Sequence, residues 1–312
     1  RKSCHGRYQY VLDFSRKEVV DCIYKMMEKI LSNAKVSYIK WDMNRSITEC
    51  WSAALPADRQ GEVFHRYILG VYNLYERLIE KFPHILFESC ASGGARFDPG
   101  MLYYAPQAWT SDDTDAVERL KIQYGTSYCY PISSMGSHVS TTPNHQTGRN
   151  TPLHTRANVA CFGTFGYELD LNTLTQEEQK TVKEQIAFMK KYRHILQFGT
   201  FYRLSSPFEN NVTAWMAVSA NKKEAIVGWY RVLNGANLSF ARLHLHGLDE
   251  NIQYEITKRR TRETFYGSYY GDELMYAGLV TTDGSSGETH LEEEKTYDFD
   301  SSLFILKAVD GK

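Results

Sequence analysis

No stretch of this 312-residue sequence carries the roughly 18 uninterrupted apolar residues of a membrane-spanning helix. Nor is there an excess of basic charge. Thirty-six Lys and Arg face 37 Asp and Glu, which argues against a nucleic-acid partner, because such proteins present a basic face. The six cysteines, Cys4, Cys22, Cys50, Cys90, Cys129 and Cys161, are scattered without a CxxC pair. Neither a disulfide framework nor metal-site spacing is indicated, and a reducing, cytoplasmic setting is expected. An initiating Met and a signal-peptide pattern are also missing. The chain is therefore expected to be a piece of a longer protein, with the true N-terminus and any signal outside it.

What is present points to a packed, mixed fold. Apolar residues make up 42% of the chain, enough for a sizeable core. Aromatics reach 13%, with 22 tyrosines; flat rings with a polar edge suit sugar binding and β-rich cores equally. Over the first two thirds, strand and helix alternate. "YVLDF" (Tyr10–Phe14) predicts a strand, and Ser15-Arg-Lys-Glu18 has the form of a capping box. Val19, Ile23, Met26, Ile30 and Leu31 then predict a helix to about Asn33. Strands are predicted at Val36–Trp41, His84–Glu88, Gln107–Thr110, Ser127–Ile132 and Gly166–Asp170. Helices are predicted through Phe64–Leu78, Asp115–Tyr124 (with Gly125 just past its end), Thr155–Phe162, and from a second capping box at Thr175–Glu178 to about Leu196. From about Phe198 only strands and turns follow, which reads as a separate antiparallel β domain.

Repeated strand–helix units imply parallel strands with right-handed crossovers. A dinucleotide-binding sheet needs a Gly-rich turn that opens a helix. The only candidate, Ser92–Ala95, runs into "RFDPGM", which does not read as a helix start. A β/α barrel is preferred. Six of its eight strands are visible, and two are expected before Arg1. The division is expected to be 1–197 for the barrel part and 198–312 for the β domain.

In such a barrel the active site lies at the C-terminal ends of the strands. The ends here are charged. "YIKWDMNRS" places Lys40, Asp42 and Asn44 at one strand mouth, the next runs into "ESCASGGARFD", and the next into "WTSDDTD". Arg7 lies just before the first predicted strand and Asp13 near its end. Clustered acids suit a cation or acid–base chemistry. Asp112, Asp113 and Asp115 have no EF-hand spacing and no His motif beside them, so no metal is expected. Glycoside cleavage needs two facing carboxyls, and Asp42 with Asp112 or Asp113 meets that need.

Long ordered motifs carry a resemblance: "GRYQYVLD", "YIKWDMNR", "ESCASGGARFDPGMLYY", "WTSDDTDAVERLKIQYGTSYCYPISSMGSHVS", "NHQTGR", "GTFGYELDL" and "YGDELMYAGL". Together they resemble the α-galactosidases of glycoside hydrolase family 36 over nearly the whole chain. The resemblance implies an incomplete (β/α)8 TIM barrel, here strands three to eight, preceded by a large β-sandwich domain and followed by a small antiparallel β-sandwich. It implies a retaining mechanism on terminal α-galactose of raffinose- or melibiose-type galactosides. Asp42 of the KWDMN motif would be the nucleophile and Asp112 of the SDD motif the acid/base.

Further roles follow from the resemblance. Arg7 and Lys40 would contact galactose hydroxyls, Cys90 and the Gly93 backbone would approach the 2-hydroxyl, and Asn44 would touch the sugar. Trp109 would line the site. Lys40 should keep Asp42 ionised, while Trp109 and the charge of Asp42 would favour protonated Asp112. Ala95 stands where glycine is common and Ser46 where many members have histidine; neither change removes chemistry. The carboxylate pair and aromatic wall that hold the 4- and 6-hydroxyls would come from upstream segments. Asp113 and Asp115 read as helix caps or supports, His138 and His145 as loop residues near the pocket, and Trp215 and Trp229 as β-domain core. No cofactor is expected; a homotetramer is the family habit. Competing readings are galactosyl transfer, an α-N-acetylgalactosaminidase, which the Cys90–Gly94 loop disfavours by crowding the 2-position, and a non-catalytic sugar-binding fragment. A chain lacking two barrel strands has open edges and alone is expected to be poorly soluble or inactive.

Overall fold

In the computed structural model, three parallel strands lie side by side in the order β1 (Tyr38–Trp41), β2 (Leu86–Ser89) and β3 (Gln107–Ala108). The structure describes residues 6–235, 241–260, 263–281 and 298–309; Cys4 lies outside them. The chain forms two compact units, 1–112 and 113–312.

In the first unit, helices α1 (Lys17–Asn33) and α2 (Val63–Lys81) cover one face of the three strands. Val71, Leu74, Tyr75 and Leu78 of α2 recur at helical spacing and are buried against Phe87 of β2. Each such side chain contributes about 1.5–3 kcal/mol by leaving water. The core-facing stripe of α1 is buried Val20 and Leu31 with half-buried Ile23 and Met27, whereas Met26 and Ile30 of the predicted face are each 57% exposed. Two further expectations fail here. Tyr10–Phe14 does not form a strand: its residues are irregular or in a turn. Ser15 does not cap α1: the N-cap is Arg16, without a side-chain bond, because the Ser15 hydroxyl donates to Asp13 and reaches Ser52.

The segment after the glycines does open a helix, contrary to expectation. α3 (Pro99–Tyr104) starts with Asp98 accepting from the Met101 N–H and proline in its first turn, the preferred residue types at those positions.

In the second unit, α4 (Ala116–Thr126) runs through Gly125 instead of ending before it. The predicted strand at Ser127–Ile132 is turn and 3₁₀ helix; the strand that forms is β4 (Gly136–Ser140). It pairs in parallel with β5 (Thr164–Glu168), and α5 (Leu153–Ala160) connects them. α6 (Gln176–Phe198) begins with the expected capping box, Thr175 and Glu178 each bonding the other's backbone.

Beyond it come β6 (Thr200–Ser205), β7 (Val212–Val218), β8 (Glu224–Arg231), β9 (Arg242–Leu243), β10 (Gln253–Arg259), β11 (Glu263–Tyr270), β12 (Leu279–Val280) and β13 (Asp300–Ala308). Six make one antiparallel sheet in the order β11-β10-β13-β8-β7-β6. Alternation sends Trp215, Ile226 and Ile305 to one face, against Phe188, Tyr192 and Ile195 of α6. Met216, Val227, Trp229 and Phe304 fill the other, with Leu243 and Leu279 of the two-stranded β9–β12 layer. A short helical turn at Glu273–Gly278 lies among these strands.

Candidate active site

Strand alternation sorts the side chains of β1 and β2. Ile39, Trp41 and Phe87 belong to the helix-covered core. Tyr38 and Lys40 take the opposite face, as do Glu88 and Cys90 on the neighbouring strand. Pairing in parallel sets Lys40 beside Glu88 and Glu88 beside Gln107, so like-facing residues form rows across the sheet. Lys40, Glu88 and Gln107 make one row; Asp42, Cys90 and Trp109 make the next, at the C-terminal ends. Backbone bonds carry the ladder into this last row: Cys90 N–H to Trp41 O at 2.9 Å, Met43 N–H to Cys90 O at 3.0 Å and Trp109 N–H to Ser89 O at 2.9 Å. The Arg96 guanidinium ties two ends together, donating to Cys90 O at 2.8 Å and Trp41 O at 3.4 Å.

Asp42 is exposed at the strand mouth. Partial burial pushes its carboxyl up, but the Cys90 thiol, the Asn44 amide and the Met43 N–H all donate to it, and the Lys40 charge adds to them. The result is a carboxyl held below its usual value, a strong acceptor that stays ionised. Cys90 is itself buried. Burial and the Asp42 charge push its thiol up to about 11, so near neutral pH it acts as a proton donor to the carboxylate. The Lys40 ammonium sits 4.9 Å over the ring of the buried Trp109 and 3.8 Å from Glu88.

Asp112 is exposed, four residues after β3, whose Ala108 pairs with Ser89. Its neighbour in space is the glycine pair. Gly93 has φ +79°, and a Cβ there would lie 2.8 Å from Ser111 Cα and 3.0 Å from Asp112 N. A Cβ on Gly94 would lie 2.8 Å from Thr110 O. Only glycine lets the two loops approach this closely at that backbone angle. The loop that begins with Cys90, beside Asp42, therefore lies directly against the backbone of Asp112. This is a packing role for Gly93 that sequence reasoning did not assign.

A two-carboxylate mouth of this kind suits glycoside chemistry, and a sequence-family model for melibiase matches residues 1–199. The chain belongs to the melibiase family. The model of the glycosyl hydrolase family 36 C-terminal domain matches residues 212–306. The α-galactosidase AgaA of Geobacillus stearothermophilus is 54% identical over 309 residues, 99% of this chain and 40% of AgaA. A crystal structure of an AgaA variant in complex with raffinose superposes with a TM-score of 0.91 at 52% identity, covering 99% of this chain and 40% of that one. The α-galactosidase structure from Lactobacillus brevis gives 0.92 at 49% identity, over 100% of this chain and 41% of that one. The chain thus spans about 40% of the length of these relatives. The fold is the α/β one of family 36, an incomplete (β/α)8 TIM barrel followed by an antiparallel β domain.

Arg7, with φ +53°, donates to the Asn44 carbonyl at 3.0 Å, and so joins the Asp42 loop through its backbone. Asp115 caps α4, accepting from Val117 and Glu118 N–H at 2.8 and 3.2 Å, while Asp113 accepts from Asp115 N–H at 3.0 Å. His138 pairs with Glu168 at 3.2 Å, and His145 is exposed. Among the described residues no three His, Cys, Asp or Glu side chains converge as metal ligands would. Glu88, Tyr38 and Arg96 were missed. Two-residue alternation from Cys90 back to Glu88 was the available signal for the first of them.

Proposed function

We propose that the protein carrying this chain is a retaining α-galactosidase that cleaves terminal α-galactosyl residues from raffinose- or melibiose-type galactosides. Asp42, kept ionised at a strand mouth by the Cys90, Asn44 and Met43 donors, is the observation that carries this reading. In the first step the Asp42 carboxylate attacks the anomeric carbon while Asp112 protonates the departing glycosidic oxygen. A galactosyl ester on Asp42 results. In the second step Asp112, now a carboxylate, takes a proton from water as that water attacks the same carbon and breaks the ester bond, which frees galactose and returns the Asp42 carboxylate. Two inversions give net retention.

The remaining residues bind and orient. Lys40, Arg7 and Asn44 hold galactose hydroxyls, Trp109 offers its ring, and Cys90 and the Gly93 loop border the 2-position. A reducing, cytoplasmic setting is part of the reading, supported by the need for Cys90 to remain a thiol donor.

Hydrolysis of p-nitrophenyl α-galactoside by the full-length protein tests the proposal. Asp42→Ala is expected to abolish turnover, and added azide to restore part of it as β-galactosyl azide. A folded wild-type protein that cleaves no α-galactoside, or that only transfers galactose to sugar acceptors, overturns hydrolysis as the function.

A further inference from the structure

Glu88 is buried inside the row beneath Asp42, with 2% of its surface exposed. Its two oxygens have different surroundings. Oε2 accepts from the Tyr38 hydroxyl. Oε1 is fully buried and has no hydrogen-bond partner, yet it lies 3.8 Å from Lys40 Nζ. A buried carboxylate oxygen without a donor is costly, and such a group persists where the surrounding charge or the function requires it. Here the charge it faces is the Lys40 ammonium.

The pairing geometry makes the contact obligatory. Lys40 and Glu88 are direct partners on adjacent parallel strands, so their side chains leave the sheet side by side. Lys40 has a long flexible stem and a compact charge, and its side chain is 36% exposed; without restraint it would sweep the open mouth. Three restraints act on it. Glu88 attracts the ammonium from below with little screening, because the carboxylate is buried. The Trp109 face holds it from the side at 4.9 Å. Asp42 attracts it from above. Tyr38, by holding the other oxygen, aims Glu88 at its partner.

We propose that Glu88 is a positioning residue: it acts through Lys40, fixing the ammonium where it meets both the Asp42 carboxylate and the bound substrate. The kinetic half of this inference rests on the galactosidase reading above; the structural half does not.

Three variants of the full-length protein test it: Glu88→Gln, Lys40→Met and the double variant. Glu88→Gln keeps the shape and an acceptor for Tyr38 but removes the charge. It is expected to lower kcat/KM on p-nitrophenyl α-galactoside by about 10- to 100-fold, the cost of a misplaced binding group. Added to Lys40→Met it is expected to cost almost nothing more, because the partner it acts through is gone. In parallel, reductive methylation of Lys40, followed by peptide mass spectrometry, is expected to run several-fold faster in Glu88→Gln than in wild type. Additive losses in the double variant, or an unchanged labelling rate, overturn the proposal. Should Glu88→Gln fail to fold, Tyr38→Phe, which frees the carboxylate but keeps its charge, is expected to speed Lys40 labelling; no change overturns the proposal equally. A wild-type protein without galactosidase activity would sink the function proposed above, while the labelling comparison would still decide the Glu88–Lys40 pair.

Discussion

Replacing Gly93 with alanine adds one methyl group, and the structure predicts a disproportionate effect. The backbone there has φ +79°, a region that costs a residue with a Cβ about 1–2 kcal/mol. The new Cβ would also stand 2.8 Å from Ser111 Cα and 3.0 Å from Asp112 N. Favourable carbon–carbon separations begin near 3.5 Å, so one loop must retreat by about half an ångström or more. Both neighbours are backbone, with no flexible side-chain end to swing aside. The retreat moves Asp112 relative to Asp42, because the Gly93 loop starts at Cys90, which is bonded to Asp42. A displacement of about 1 Å can cost 100-fold in rate, so a loss of about tenfold or more in kcat/KM is expected. Stability should fall by about 1–2 kcal/mol. The assay is α-galactoside hydrolysis by the full-length protein, with urea unfolding on the same preparation. Gly125→Ala is the matched control. A Cβ there meets nothing within 4 Å, and the residue lies inside α4, so the change should stabilise by about 0.5–1 kcal/mol and leave hydrolysis alone. Wild-type kcat/KM in Gly93→Ala would refute the packing argument.

Cys90→Ala removes a donor from Asp42; the carboxyl should then titrate higher, and the acidic limb of the kcat/KM–pH profile should move to higher pH. A stationary limb would mean that the thiol does not control Asp42. In the second unit, Asp300 is buried and accepts from Arg260 at 2.9 Å and faces His154 at 3.2 Å. Burial pushes its carboxyl up, but these two partners outweigh burial and hold it below its usual value. The stability it contributes is therefore fully present above the ordinary carboxylate pKa of about 3.9. It is lost as the pH falls below that, through the lowered folded value. Asp300→Asn should cost about 3 kcal/mol near neutrality and flatten the acid dependence, measured by urea unfolding at several pH values. Thr175→Ala breaks one half of the α6 capping box and should cost about 1 kcal/mol, read from the same unfolding curves.

The elements that sequence alone located well are those with redundant signals. α2 and α6 have long periodic apolar stripes, and α6 adds a capping box. The strands that failed had one signal each. Tyr10–Phe14 is apolar yet stays irregular, and Ser127–Ile132 has β-forming residues that instead follow the end of α4 into a turn. The strand that forms there, Gly136–Ser140, is built of glycine, serine and histidine with one valine; parallel pairing with β5 decides it, not propensity. At the site, the charged strand ends were legible because polar residues finishing an apolar strand are unusual. Glu88 was not, because its partner Lys40 lies 48 positions earlier in the chain and only register joins them. The Gly93–Asp112 contact was invisible for the same reason.

The Cys90 thiol has one more consequence. Thiol chemistry runs through the thiolate, and a group whose proton leaves only near pH 11 offers almost none of it in the cell. Placing the sulfur beside a carboxylate and out of the solvent thus makes it slow toward peroxide, alkylating agents and disulfide exchange. A carboxylate supported by an oxidisable atom would ordinarily be vulnerable. Here the negative charge that the thiol stabilises is also what keeps the thiol protonated, so donor and acceptor protect each other's chemical state.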